Sequence, residues 1–170
     1  MPYFRWPAAT VTPPLTVGQL LYIEMASNGW ADAKTWAKQA DSIAPTLVGG
    51  SKKHGGADLG PTRARNAWQK LYVDGRGLAD QPPDKNFVGM PKLTLKMAAM
   101  VQGFPTDWEF AGKKTPAYRQ IGNAFPPPVA EAVAGSIYKA LAAGESDICE
   151  IKESALWQER EREINYGNIF

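Results

Sequence analysis

Three groups of residues in this 170-residue sequence have types and spacings that could do chemistry. The first runs Gly49-Gly50-Ser51-Lys52-Lys53-His54-Gly55-Gly56 and on to Gly60-Pro61. Glycines of this density let a backbone approach a partner closely, here with cations beside it. The run is not a Walker phosphate loop, because no Gly-Lys-Ser/Thr opens a helix. Nor does a strand-turn-helix unit surround it, as a dinucleotide site requires. It suits nucleic acid, with Lys52, Lys53, Arg63 and Arg65 on phosphates and some of them on bases. A solvated surface loop with incidental lysines accounts for the composition equally well. The second group is Tyr118-Arg119-Gln120-Ile121-Gly122-Asn123-Ala124-Phe125, followed by Pro126-Pro127-Pro128. A Gly-Asn pair just ahead of a proline-started helix would place backbone N–H groups and an amide at a helix amino terminus. That is a seat for an anionic or polar ligand group, or simply an ordinary helix start. The third group is a pair of singletons, Cys149 and His54. They exclude a disulfide framework and a Cys/His zinc site of normal ligand number. Cys149 lies in an acidic stretch that disfavours a thiolate, and reads as a half-buried helix residue. No catalytic residue and no metal ligand is assigned.

The elements that would hold these residues are mostly helical. Residues 1–14 carry four prolines and read as an extended lead-in. Thr16 caps a helix to about Ser27, ended by Asn28-Gly29, and a second helix spans about Ala31–Ile43. Thr46-Leu47-Val48 is a strand candidate, and residues 49–61 form a loop. Thr62 is expected to cap a helix over about Arg63–Tyr72 with Ala64, Ala67, Trp68 and Leu71 as its apolar stripe. Asp74-Gly75 and Gln81-Pro82-Pro83-Asp84 are turns. A helix from Thr94 to Gln102 follows, ended by Gly103, then a short helix or turn over 115–122. A long helix starts in the proline run and reaches about Ala143. Residues 147–163 read as a charged surface helix.

Charge is segregated along the chain although the net value is only +2. Between Gly49 and Arg76 stand Lys52, Lys53, Arg63, Arg65, Lys70 and Arg76 against Asp58 and Asp74. Between Glu145 and Glu163 acids exceed bases by the same margin. A basic centre suggests an anionic partner; a solvated face is the plainer explanation. The 44% hydrophobic content is that of a folded globular chain. No apolar run reaches the ~20 residues of a membrane helix. The amino terminus lacks an apolar signal core, so the expectation is a cytoplasmic protein with no membrane partner.

Read together, Gln102-Gly103-Phe104-Pro105 and Tyr118-Arg119-Gln120-Ile121-Gly122-Asn123-Ala124-Phe125-Pro126 resemble the last two signature blocks of DNA (cytosine-5) methyltransferases. In that family a Leu-Thr helix ending in Gln-Gly-Phe-Pro precedes a Gly-Asn-x-x-Pro block. The resemblance runs over about Pro91–Ala143. Upstream, Ala44-Pro45-Thr46-Leu47 and the glycine loop resemble the target-recognition region of bacterial members. One departure is visible: the family usually has Arg-Glu where this chain has Lys96-Met97.

The resemblance implies an α-rich α/β fold, held as a partial chain. A small target-recognition domain would be joined to C-terminal helices that complete a Rossmann-like methyltransferase domain. Its divisions are residues 1–43 as lead-in and helical segment and 44–105 as recognition region with its organising helix. Residues 106–144 would be the last part of the catalytic domain, and 145–170 the charged tail. It implies that Gly122, Asn123 and Ala124 line an S-adenosyl-L-methionine pocket. Thr46, beside Leu47, would touch the backbone of double-stranded DNA. Lys52, Lys53, His54, Arg63 and Arg65 would make further phosphate and base contacts.

The family's reaction flips cytosine out of the stack and adds a cysteine thiolate to the base. Its Pro-Cys loop, Glu-Asn-Val block and Phe-x-Gly-x-Gly cofactor turn are nowhere in this sequence. Arg63-Ala64-Arg65 and Arg160-Glu161-Arg162 match the family's Arg-x-Arg block by letter, but not its place ahead of the recognition region. The expectation is therefore the C-terminal portion or second subunit of such an enzyme, inactive without a chain or segment carrying the missing blocks. Met1 ahead of the recognition region is compatible with a second subunit, and equally with a truncated gene or a partial sequence. The other reading is a stand-alone DNA-binding or regulatory remnant.

Overall fold

The computed structural model describes residues 3–8, 13–49 and 57–144. They fall into two compact units, Thr10–Pro128 and Met1–Ala9 with Val129–Phe170. The larger unit holds helices α1 (Val17–Ala26), α2 (Ala33–Gln39), α3 (Thr62–Gln69), α4 (Leu95–Gln102) and α5 (Lys114–Asn123). A further helix, α6, covers residues 127–144.

Thr16 starts α1 as its residue type predicts. Its hydroxyl accepts from the Gln19 N–H at 3.3 Å, and the Gln19 side chain accepts from the Thr16 N–H at 3.0 Å. The next two N–H groups, which no helix can satisfy internally, are met by the chain leaving α2. Val17 N–H donates to Ser42 O and Gly18 N–H to Ala40 O, both at 2.9 Å. This close seat requires glycine. A methyl added at Gly18 would lie 1.9 Å from the Ala37 carbonyl oxygen. Leu21 and Met25 carry the buried face of α1 into the core, where Trp30, Trp36 and Trp68 also lie. Trp30 and Trp36 bury their indoles without losing their polar atoms: the two N–H groups donate to Phe87 O and Tyr72 O at 3.1 and 3.0 Å.

Helix α4 packs against both α1 and α5 and presents Met97, Ala98 and Ala99 to the core. Thr94 caps it, as its position predicts, and Gly103 ends it at φ 86°. Position 97, where the family usually has Glu, is Met. Its sulfur stands in the reciprocal arm of the capping box, 3.4 Å from the Thr94 N–H. Position 96 keeps a polar contact, since Lys96 Nζ meets Glu24 Oε1 at 2.6 Å and ties α4 to α1. Lys96 is half exposed, and an exposed pair contributes at most about 1 kcal/mol. Full burial of a methionine contributes roughly 1.5–3 kcal/mol, so Met97 holds α4 more firmly than Lys96 does.

Several expectations change. Among the described residues there is no strand, only isolated bridges at Asn28, Gly29 and Ala79 with Asp84 and Thr94. The described elements are thus all helical, which is compatible with part of a methyltransferase domain. Residues 46–48 run without ladder partners because no neighbouring segment runs beside them as a strand. Helix α3 begins at Thr62 and ends at Gln69, three residues before Tyr72. Pro61 is its N-cap, while the Thr62 hydroxyl takes a bond from Arg65 at 3.3 Å. Tyr72 adopts φ 54°, which no helix accommodates. Helix α2 stops at Gln39, short of Ile43, and α5 is a full ten-residue helix. Pro116 sits in the first turn of α5, where its missing N–H costs nothing. In the smaller unit, Phe4 and Trp6 stack edge-to-face at 5.2 Å. The sequence-predicted helix over 147–163, with Cys149, lies outside the described residues.

Candidate functional site

The segment Thr46–Gly49 lies at the centre of the candidate site. Leu47 is buried, whereas Thr46 and Val48 are exposed, the alternation expected of extended backbone. Leu47 thus anchors the segment and leaves Thr46 exposed. The Val48 carbonyl accepts a hydrogen bond from the Tyr118 hydroxyl of α5 at 3.2 Å. Burial, with a smaller contribution from the Asp58 carboxylate, pushes the Tyr118 phenol well above its ordinary range. It stays protonated, and a donor, at any pH at which the protein works.

Beyond Val48 the backbone crosses α5 on two glycines. A methyl added at Gly122 would lie 2.4 Å from Gly49 N and 2.6 Å from Gly49 Cα. One added at Gly49 would lie 2.3 Å from the Asn123 side-chain oxygen. At Gly122 the clash is with backbone and only glycine permits the approach; at Gly49 the Asn123 side chain would have to turn aside. On the other flank, Gly60 (φ 109°) presses on Val48 and on Ala64 of α3; a methyl there would be 3.6 and 3.2 Å from their β-carbons. Asp58 shapes that turn by accepting from the Gly60 N–H at 3.1 Å. The segment therefore abuts the end of α5 on one side and lies beside Gly60, just ahead of α3, on the other.

The Gly-Asn pair is not where the sequence places it. Gly122 and Asn123 form the last turn of α5, not the amino terminus of the following helix. The N–H of Ala124 is bonded back to Gln120 O and Ile121 O. The proline run starts α6 only at residue 127, so the pair presents the carbonyl end of a helix, which favours cations over anions. Asn123 is exposed, Gly122 and Ala124 half-buried. The two blocks that carry the family resemblance meet here: Gln102 Nε2 donates to Ala124 O at 2.7 Å. Gly103 also faces Pro128 so closely that a methyl would come within 2.9 Å of its ring.

Arg63 and Arg65 lie on α3, the first exposed and the second half-buried. Lys52, Lys53 and His54 lie outside the described residues. The sequence marks Asp74-Gly75 as a turn after α3 but does not show the ion pair within it. There Asp74 accepts from Arg76 Nε at 2.9 Å and from Nη2 at 3.3 Å, with Lys92 Nζ 4.0 Å away. The hydrogen-bonded Arg76 guanidinium holds the Asp74 carboxyl below the usual carboxylate range, and burial opposes this less strongly. A depressed carboxylate stabilises the fold above its unfolded pKa of about 4 and loses that contribution as pH falls through the lower, folded value. Unfolding midpoints of the wild type and Asp74→Asn should therefore stay a constant distance apart from pH 7 to about 5, then converge toward pH 2. A gap unchanged to pH 2 would remove the pairing.

Among the described residues no helix is long and apolar enough to cross a membrane. No group of three or more His, Cys, Asp or Glu residues among them could hold a metal.

Comparison with known proteins bears on this arrangement. The model of the C-5 cytosine-specific DNA methylase family matches residues 23–139. The chain is 60% identical over 144 residues to the Type II methyltransferase M.NaeI of Lentzea aerocolonigenes, covering 82% of this chain and 34% of that protein. It is 48% identical over 141 residues to the Type II methyltransferase M.NgoMIV of Neisseria gonorrhoeae, covering 82% of this chain and 45% of that protein. DNA (cytosine-5)-methyltransferase 2 of Arabidopsis thaliana is 37% identical over 89 residues, 45% of this chain and 6% of its own length. The chain thus spans less than half the length of the curated relatives it matches. No solved structure matches it. With its two signature blocks in contact and the family model covering most of its length, the chain belongs to the C-5 cytosine-specific DNA methylase family.

Proposed function

We propose that this chain is the C-terminal portion or second subunit of a DNA (cytosine-5) methyltransferase. It supplies target recognition and one wall of the cofactor site. The observation that carries this reading is the joining of the last two family blocks through Gln102 and Ala124, beside a recognition segment that touches α5. Cytosine C5 becomes nucleophilic only after a thiolate adds to the ring. The single cysteine, Cys149, is preceded by Ile148, not proline. A second chain or segment carrying the Pro-Cys, Glu-Asn-Val and glycine-rich blocks provides the nucleophile and the parallel sheet of a Rossmann-like domain. The exposed apolar side chains of α6, Val129, Ile137, Tyr138 and Leu141, with Ile137 and Leu141 one turn apart, are the kind of surface such a sheet covers.

S-adenosyl-L-methionine supplies the methyl group when bound. The residues present fit one edge of it: the exposed Asn123 amide and the carbonyl end of α5 suit a ligand with positively charged sulfonium and ammonium groups. Gly122, Asn123 and Ala124 form that wall, with Gly122 spending its α-carbon face on Gly49. Thr46, Arg63 and Arg65, together with Lys52, Lys53 and His54, contact double-stranded DNA, chiefly at phosphates.

The test is transfer of labelled methyl groups to DNA by this chain, by a polypeptide with the missing blocks from a relative, and by their mixture. Only the mixture should be active. Asn123→Ala should raise the S-adenosyl-L-methionine concentration the mixture needs, while Lys53→Ala should chiefly weaken DNA binding. An inactive mixture, with salt-sensitive DNA binding by this chain that the cofactor does not alter, would establish a stand-alone DNA binder instead.

A further inference from the structure

The cleft between α3 and the turn 73–76 has a composition that phosphate binding does not explain. Its volume is about 240 Å3, and Arg65, Asn66 and Gln69 of α3 face Asp74, Arg76 and Met90 across it. Positions 62, 65, 66 and 69 form one helical stripe. Helix α3 has no acidic residue, and its stripe carries a hydroxyl, a guanidinium and two carboxamides. Carboxamides can hydrogen-bond phosphate oxygens but bring no charge to them. They do match base edges: an amide pairs with adenine N6 and N7, a guanidinium with guanine O6 and N7. At eight residues α3 is about 12 Å long, enough to face roughly three to four base-pair steps.

The opposite wall holds a pre-oriented arginine. Arg76 is 75% exposed, yet its Nε and Nη2 edge is clamped by the two oxygens of Asp74, whose side chain is only 15% exposed. Asp74 is itself fixed, accepting the Arg76 N–H at 3.1 Å and donating its own N–H to Pro91 O at 2.9 Å. The turn approaches α3 closely, since a methyl at Gly75 would lie 3.2 Å from Arg65 Cα, and Leu59 N–H donates to Gly75 O at 3.0 Å, tying it to the segment just ahead of α3. An arginine held this way is restrained before it meets a ligand, and because Asp74 takes its Nε/Nη2 edge the Nη1/Nη2 edge is left for that ligand. That is the edge that makes a bidentate contact to guanine.

We propose that Arg76, positioned by Asp74, together with Asn66 and Gln69 of α3, forms a base-reading edge for duplex DNA that sets sequence preference. The inference rests on the recognition role proposed above and adds the residues that distinguish one sequence from another. Arg76 is the contact residue and Asp74 a positioning residue.

Selection from a randomised double-stranded DNA library by the full chain at low salt tests it. The wild type should enrich a motif containing guanine. Arg76→Ala should lose preference at one guanine position by roughly tenfold or more, and Asn66→Ala or Gln69→Ala at a neighbouring position. Arg76→Lys should keep overall affinity and its salt dependence but not the guanine preference, since an ammonium has no fork. Asp74→Asn should weaken that same preference with unchanged circular dichroism. Should Arg76→Ala enrich the wild-type motif, or the wild type bind DNA with no preference, the base-reading edge is refuted while the recognition region stands. Failure of the wild type to bind any duplex would overturn both.

Discussion

Gly18→Ala should lower the thermal unfolding midpoint of the larger unit by about 10 °C. The new methyl would sit 1.9 Å from the Ala37 carbonyl oxygen, with the Ala37 carbonyl carbon and Cα at 2.7 and 2.9 Å. All three are backbone atoms, so no side chain can swing aside. Relief requires α1 to move off α2, and that movement pulls Gly18 N–H from Ala40 O and Val17 N–H from Ser42 O. Overpacking of this kind costs about 1–3 kcal/mol, and each lost hydrogen bond about 1 kcal/mol. Against this, alanine gains at most about 1 kcal/mol over glycine in helix propensity. The clash wins, by roughly 2–4 kcal/mol, which is on the order of 10 °C for a domain of this size. Gly135→Ala in α6 is the control, because an added methyl there meets nothing within 4 Å. It should leave the midpoint unchanged or raise it slightly. Equal midpoints for wild type and Gly18→Ala would show that α1 does not seat on α2 as described.

Gly122→Ala should damage stability and function together. Its methyl would enter the space of Gly49 N and Cα and drive residues 46–49 off the end of α5. The Tyr118–Val48 hydrogen bond breaks with that displacement. The stability loss should be about 2–3 kcal/mol. In the reconstituted enzyme, methyl transfer should fall at least tenfold, because displacements of about 1 Å remote from the chemistry cost that much or more. Two comparisons separate the contributions. Tyr118→Phe removes only the hydrogen bond and should cost about 1 kcal/mol. Asn123→Ala should alter the cofactor requirement with little change in midpoint. A Gly122→Ala protein with wild-type stability and turnover would dissociate the Gly-Asn block from the recognition segment.

The caps were the most legible part of the fold. Thr16 and Thr94 begin α1 and α4 because a hydroxyl three residues ahead of an N–H satisfies it locally, and Gly103 ends α4 through its positive φ. Thr62 misled on the same grounds, since its hydroxyl bonds Arg65 and the helix is entered from Pro61. Residues 46–48 have strand-like side chains, but a ladder needs a partner that composition cannot supply. The Gly-Asn pair was recognised by type and misplaced by one turn of reasoning. Prolines announce α6, whereas α5 depends on burying Ala117, Tyr118 and Ile121 against distant elements. The crossing of Gly49 and Gly122 was illegible, because 73 positions separate them and neither belongs to a periodic pattern. Arg76 was visible only as one charge among six, since its clamp by Asp74 is a matter of geometry.

The packing of Gly49 and Leu59 also bears on the length of chain between them. Gly49 abuts Gly122 of α5, and Leu59 is fully buried with its N–H bonded to Gly75 O at 3.0 Å. The chain is therefore held on both sides of residues 50–56. Doubling the length of a loop held at both ends adds only about 0.6 kcal/mol of closure entropy. A few residues inserted after Gly50 should thus shift the unfolding midpoint little, whereas a replacement that reaches Gly49 or Leu59 disturbs α5 or the core.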